Sequence, residues 1–317
     1  MQRRDLLAGL LAAGTAFAAM QPARSAAPEG VTILSADASG KLAPATVPFN
    51  PRRLAVADFA VLDTLDAWGL GERVVGVPKA QRLPYLAKYF SSDGPADIGS
   101  LRELDLERLM ALEPDAIFVS ARLRKRIPEL SRIAPVVCLP VDWAGGILPS
   151  FERITETLGR IFGKEPQAQA AIASARARAA RIREAAAGRT ALVGLVTSAH
   201  VNLLGDKARC SLIGNELGLR NVAEGANATH GSESSFELMV KLDPDYLFVL
   251  DRDSAIGRKG ASLARDVLDN ELVRRMRAWR ENHVVFLTAE AWYLAEGGVK
   301  AMDIMLDDVA RALGVQA

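Results

Sequence analysis

The chain repeats itself once, and the repeat limits its fold more than any other feature. Residues 106–122, LERLMALEPDAIFVSAR, recur as residues 236–252, FELMVKLDPDYLFVLDR, at a constant offset of 130. Glu107 aligns with Glu237, Leu112 with Leu242, Pro114-Asp115 with Pro244-Asp245, Phe118-Val119 with Phe248-Val249, and Arg122 with Arg252. Each copy reads as a short amphipathic helix that stops at the proline, because a residue before proline is disfavoured in the helical region. A continuous apolar strand follows, and such a run suits a parallel strand covered on both faces. Two copies this far apart predict two related α/β units, and 317 residues give each a domain of ordinary size.

Flanking segments extend the pattern. Leu54 to Asp58 predicts a strand, Val61 to Trp68 a helix ended by Gly69, and Val74 to Val77 the next strand; after a strand over Leu192 to Thr197, a similar helix over Ser211 to Leu217 ends at Gly218. Residues 28–50 read as a strand-turn lead-in. Between the two units lies EPQAQAAIASARARAARIREAAA, residues 165–187, with Pro166 suited to a first helical turn and Gly188 to the stop. A helix of that length spans roughly 30 to 35 Å. The expected architecture is α/β: two Rossmann-like lobes with central, mainly parallel sheets, joined by one long rigid α-helix. The expected boundaries are 1–26 for an export signal, 27–163 for the N-terminal lobe, 164–188 for the connecting helix and 189–317 for the C-terminal lobe.

The export signal is read from Arg3-Arg4, the apolar run Leu6 to Met20 and the small residues around Ser25 to Ala27. No later run approaches the length of a spanning helix, so the segment is expected to be cleaved and the mature protein to be soluble in the periplasm. The paired arginines resemble a twin-arginine signal, although Gln2 stands where Ser or Thr is usual; the alternative is a general secretory signal. Removal of residues 1–26 takes three arginines and one aspartate away and changes the formal net charge from +1 to −1. Neither a disordered chain nor a nucleic-acid-coating surface follows from such a balance. Cys138 and Cys210 are too few for a disulfide framework or a cysteine metal cluster and are expected as small buried hydrophobes.

In open α/β sheets, ligands bind at the carboxyl ends of strands. Arg122 and Arg252 stand there in the two repeats, and Arg209 occupies the turn GDKAR after another expected strand end. Three cations that do not deprotonate suit an anionic ligand with paired oxygens. The alternative is ordinary pairing with Asp206, Asp251 and Asp253. Among the histidines, His230 lies in the polar loop GANATHGSESS, His283 reads as structural before the strand Val284 to Leu287, and His200 is left open. A phenolate from Tyr293 and an imidazole from His230 make a chemically sound pair for Fe(III) already held by other oxygens. The sequence shows no HExxH, no GxSxG and no phosphate loop, and no enzyme is expected.

The segments VLDTLDAWGLGERVVGVPK, GSLRELDLERLMALEPDAIFVSAR, LSRIAP, LGRIFGKE, LLGDKAR, THG, PDYLFVLDRD and WYLAEG together resemble the helical-backbone class of periplasmic binding proteins, and within it the ferric-catecholate siderophore binders. The resemblance implies a monomeric carrier of an ABC importer, with Fe(III) bound only as the siderophore complex, no permanent cofactor and no nucleic-acid partner. By the same resemblance Arg122, Arg209 and Arg252 hold catecholate oxygens, and His230 and Tyr293 complete the iron shell for siderophores that supply four donors. Glu107 and Glu237 dock the protein on its inner-membrane permease, one from each lobe. The basic stretch after Arg122 departs from the pattern, and whether Lys125 reaches the ligand is open. Haem, hydroxamate and cobalamin carriers are the neighbouring alternatives, each harder to reconcile with three arginines.

Overall fold

The structure, a computed structural model, describes residues 30–223, 232–233, 236–258, 260 and 262–316. The expected export signal and His230 lie outside the described residues. Strands β1 (Gly30–Ala36) and β2 (Leu42–Pro48) form an antiparallel hairpin, the expected lead-in. Strands β3 (Leu54–Ala57), β4 (Val74–Val77), β5 (Ala96–Asp97), β6 (Ala116–Val119) and β7 (Val136–Cys138) make a wholly parallel sheet in the order β5-β4-β3-β6-β7. The second sheet holds β8 (Thr190–Thr197), β9 (His200–Leu203), β10 (Arg220–Asn221), β11 (Ser232–Glu233), β12 (Tyr246–Asp251) and β13 (Val284–Phe286), in the order β11-β9-β8-β12-β13 with β10 also on β8. Its β8, β10, β12 and β13 contacts are parallel, while β9 is antiparallel to both β8 and β11.

The repeat explains how the two lobes are built. β6 and β12 are its two strands, and alternate residues of each enter different cores: Ala116 and Phe118, with Tyr246, Phe248 and Leu250, face a core that runs continuously through the molecule. Ile117 and Val119 face an outer core of the first lobe, and Leu247 and Val249 one of the second. Burial on both faces is why these strands read as unbroken apolar runs rather than alternating ones. The Pro-Asp motif has the same structural work in both copies. Glu113 and Asp243, just before the prolines, take the left-handed conformation with φ of 45° and 35°, which ends each helix. Asp115 then accepts from the backbone N–H groups of Arg52 and Arg53 (2.7 and 2.9 Å), while Asp245 accepts from the Thr190 N–H (2.8 Å), so each aspartate pins the start of the neighbouring strand.

The helix Glu165–Ala186 joins the lobes and is about 33 Å long at 1.5 Å per residue. Its buried residues, Ala168, Ile172, Ala175, Ala179, Ile182 and Ala186, recur at three and four positions and form one stripe. That stripe packs on the helix Ile147–Phe162, where Gly159 permits close approach: a Cβ there would lie 2.9 Å from Ala168 Cβ. The last helix, Val299–Ala312, returns to the first lobe and packs on the helix Phe59–Ala67. Asp63 of the latter caps it, accepting from the N–H groups of Lys300 (2.7 Å) and Ala301 (3.0 Å). Both cysteines are free and buried, and burial pushes the Cys138 thiol up to about 12.

Candidate ligand-binding cleft

Strand ends position the cationic side chains. Arg122 lies in the tight helical turn Ala121–Arg126 that follows β6, and Arg252 opens the short helix Arg252–Ala255 that follows β12. Arg209 projects from the turn after β9, where the next residue, Cys210, has φ of 66°. Tyr293 ends the helix Ala289–Tyr293. These four residues, two arginines and the tyrosine from the second lobe and one arginine from the first, come together around a single aromatic ring. Arg252 Nε donates to Tyr293 Oη at 2.9 Å, Arg122 Nη2 to the Tyr293 carbonyl at 3.0 Å, and Arg209 Nη1 to the Trp292 carbonyl at 3.0 Å. The guanidinium carbons of Arg209, Arg122 and Arg252 lie 4.5, 5.6 and 5.8 Å from the ring centroid. Tyrosine is a suitable hub because its face attracts cations while its hydroxyl accepts from one of them.

The pairing alternatives raised for these arginines apply only in part. Arg252 Nη1 reaches Asp253 at 3.4 Å, yet Asp253 also holds the turn at Ser198 and meets Arg258. Asp251 caps the helix begun by Arg252, and Asp206 accepts from Asn221, so neither neutralises the cluster. Arg209 instead pairs with Glu296 at 3.3 Å, both being nearly buried. Glu296 also accepts from Trp143 Nε1 at 2.6 Å, and the Trp143 ring covers the other side of Arg209, 4.7 Å from its guanidinium carbon. Burial pushes the Glu296 carboxyl above its ordinary range, against the pull of Arg209 and Trp143. Solvent reaches the Arg122 side chain, but the cleft walls crowd it enough to disfavour its charge, and Arg209 adds like-charge repulsion; both lower its pKa. Cations held this close repel one another, and an anion among them would relieve that repulsion.

The main cavity has a volume of about 730 Å³ and is walled by both lobes, including Arg102, Arg122, Arg124, Arg209, Tyr293 and Glu296. A smaller one of about 210 Å³ adjoins it and includes Arg102, Arg122, Arg252 and Tyr293. Arg102, Arg124, Trp143 and Glu296 were not singled out in the sequence. Arg124 belongs to the basic stretch that departs from the siderophore-binder pattern, and Glu296 to WYLAEG, so both had a signal; Lys125 is exposed and does not line either cavity. His283 is structural, with Nδ1 3.1 Å from the Asp245 carbonyl and its ring stacked 4.4 Å from that of Tyr246. His200 opens β9 and is exposed. Glu107 and Glu237 lie outside the cleft, each the second residue of its repeat helix and each exposed.

Residues 54–291 match the family described as periplasmic binding protein. The chain belongs to that family. Among its relatives, the petrobactin-binding protein of Bacillus subtilis is 37% identical over 270 residues, covering 84% of each chain. The crystal structure of that binding protein matches with a TM-score of 0.84 at 36% identity, over 91% of this chain and 100% of its own. The catecholate-siderophore binding protein of Vibrio cholerae matches with a TM-score of 0.81 at 30% identity, over 89% of this chain and 100% of its own. The ferric-anguibactin-binding protein of Vibrio anguillarum is 27% identical over 268 residues, covering 83% of this chain and 82% of that protein. A two-lobed binding protein with parallel central sheets is thus what both the fold and its relatives describe. Among the described residues no helix is long and apolar enough to cross a membrane.

Proposed function

We propose that this periplasmic binding protein captures a ferric siderophore, a catecholate, in the cleft between its lobes and hands it to the permease of an ABC importer. The observation that carries the reading is the convergence of Arg122, Arg209 and Arg252 on Tyr293, supported by the siderophore-binding relatives. A ferric catecholate complex is a compact anion with its oxygens in adjacent pairs. Guanidinium forks match such pairs, and fixed charges in a walled cleft attract the complex and speed its capture. Tyr293 Oη, already oriented by Arg252, would become an iron ligand where the siderophore leaves coordination sites open, with His230 as the second donor. A siderophore with six donors would leave both off the metal. Glu107 and Glu237, on equivalent helices of the two lobes, would meet basic pockets of the permease, one for each lobe. Export by the twin-arginine route and cleavage after residue 26 complete the reading.

Titration of the mature protein with ferric complexes of tetradentate and hexadentate catecholates, followed by tryptophan quenching, tests it. Trp143 stacks on Arg209 and provides the reporter. Saturable binding in the nanomolar to micromolar range supports the proposal. Absence of binding to every catecholate, with tight binding of haem or a ferric hydroxamate, contradicts it.

A further inference from the structure

The cavity is larger than the arginine–tyrosine cluster needs. It runs from Tyr293 into the first lobe as far as Ala36 and Gly40, and two further arginines, Arg102 and Arg124, also line it. Their surroundings differ from those of Arg209 and Arg252. Arg209 and Arg252 each have a carboxylate within 3.4 Å. Arg124 makes one long contact, from Nη1 to the Ala121 carbonyl at 3.5 Å, and its buried Nε has no hydrogen-bond partner among the described residues. The hydroxyl of Ser120, another wall residue, is likewise buried without one among the described residues. Arg102 is exposed, and its hydrogen bond is made by its backbone N–H to Ser100 Oγ. The acidic wall residues are engaged elsewhere: Asp58 accepts from the Ala60 N–H at 2.9 Å, and Glu296 serves Trp143 and Arg209. Gly40, in the β1–β2 turn with φ of 94°, lies beside this side chain: an added Cβ would come into ordinary contact with Arg124 Nε at 3.6 Å.

Buried donors without acceptors are costly, and a planar cation without a counter-charge beside a roomy cleft is arranged to receive one. We infer that Arg102 and Arg124 form a second anion subsite, which takes a free carboxylate on the backbone of the siderophore while Arg122, Arg209 and Arg252 hold its iron-binding end. The inference rests on the siderophore reading and refines it: the protein selects carboxylate-bearing catecholates over neutral-backbone ones. Arg102 borders both cavities and so connects the subsite to the iron end.

A matched pair of probes separates the two ends: the ferric complexes of N,N′-bis(2,3-dihydroxybenzoyl)-lysine and of N,N′-bis(2,3-dihydroxybenzoyl)-1,5-diaminopentane, which differ only in the backbone carboxylate. The mature wild-type protein is expected to prefer the lysine complex about tenfold, the usual scale of a charge-assisted hydrogen-bonded pair. Arg124→Met and, separately, Arg102→Met should each reduce that ratio of affinities severalfold, with thermal unfolding and circular dichroism reporting that each variant is folded. Arg102 is exposed, so its variant keeps the test usable if Arg124→Met folds poorly. Equal affinities in the wild type, or losses of equal factor for both complexes, overturn the subsite and leave the siderophore reading standing. A wild-type protein that binds neither complex overturns the subsite, and one that binds no hexadentate catecholate either overturns the siderophore reading as well.

Discussion

At the residue scale, the cleft is a balance of unlike demands on neighbouring side chains. Arg209 is nearly buried and depends on Glu296 and Trp143, whereas Arg252 is partly exposed and touches Tyr293 Oη directly. Arg252→Met should therefore leave folding almost intact and weaken binding of a ferric catecholate by at least tenfold, corresponding to the roughly 1.5–3 kcal/mol of a hydrogen bond to a charged group; fluorescence titration checks it. Trp143→Phe should act the other way. It removes the 2.6 Å donor from a buried carboxylate, with an expected loss of about 1–3 kcal/mol in urea unfolding. The three arginines and Tyr293 were legible in the sequence because strand ends and motif order pointed to them. Trp143 and Glu296 are harder to find, since a buried acid and an indole meet only when the two lobes bring them to one cation.

At the scale of elements, the repeat made β6, β12 and their preceding helices readable, because period, proline and apolar run all agree. The hairpin between β8 and β9 carries no such local signal. Its turn places Ser198 and Ala199 at φ of 52° and 64°, where Asn-Gly would be the usual signal, and the Asp253 carboxylate accepting from the Ser198 N–H at 2.6 Å holds it instead. The return of the last helix to the first lobe depends on Asp63, which no local pattern reveals. Burial pushes the Asp63 carboxyl up to about 7, against hydrogen bonds from Lys300, Tyr85 and Ala301. Between about pH 4 and pH 7 the unfolded chain releases this proton while the folded chain keeps it, so stability falls as pH rises through that window and levels off above it. At about 1.4 kcal/mol per pH unit, the change reaches at most about 4 kcal/mol. In Asp63→Asn this pH-dependent part should vanish from the urea midpoint, whatever constant offset the amide introduces. Gly159→Val should cost about 2–3 kcal/mol by forcing apart the helices Ile147–Phe162 and Glu165–Ala186, read by thermal unfolding.

At the scale of the molecule, the lobes are tied at several places besides the connecting helix. The cap from Asp63 to the last helix, Trp143 to Glu296, Ser211 Oγ to the Trp143 carbonyl and the Leu148 N–H to Glu216 all span between segments on opposite sides of that helix. Such ties make the cleft largely preformed, so affinity comes from complementarity rather than from a wide closure. The radius of gyration in solution scattering should change by less than about 1 Å when the ferric complex binds. The central claim is that a ferric catecholate sits at the arginine–tyrosine cluster with Tyr293 as an iron ligand. Its most direct test is the ligand-to-metal charge-transfer band of a tetradentate ferric catecholate, recorded on binding to the wild type and to Tyr293→Phe. The account predicts a band shifted on binding to the wild type and an unshifted band in the variant, with weakened but measurable binding. A band identical in both proteins would contradict ligation by Tyr293, and no binding to either would contradict the claim as a whole.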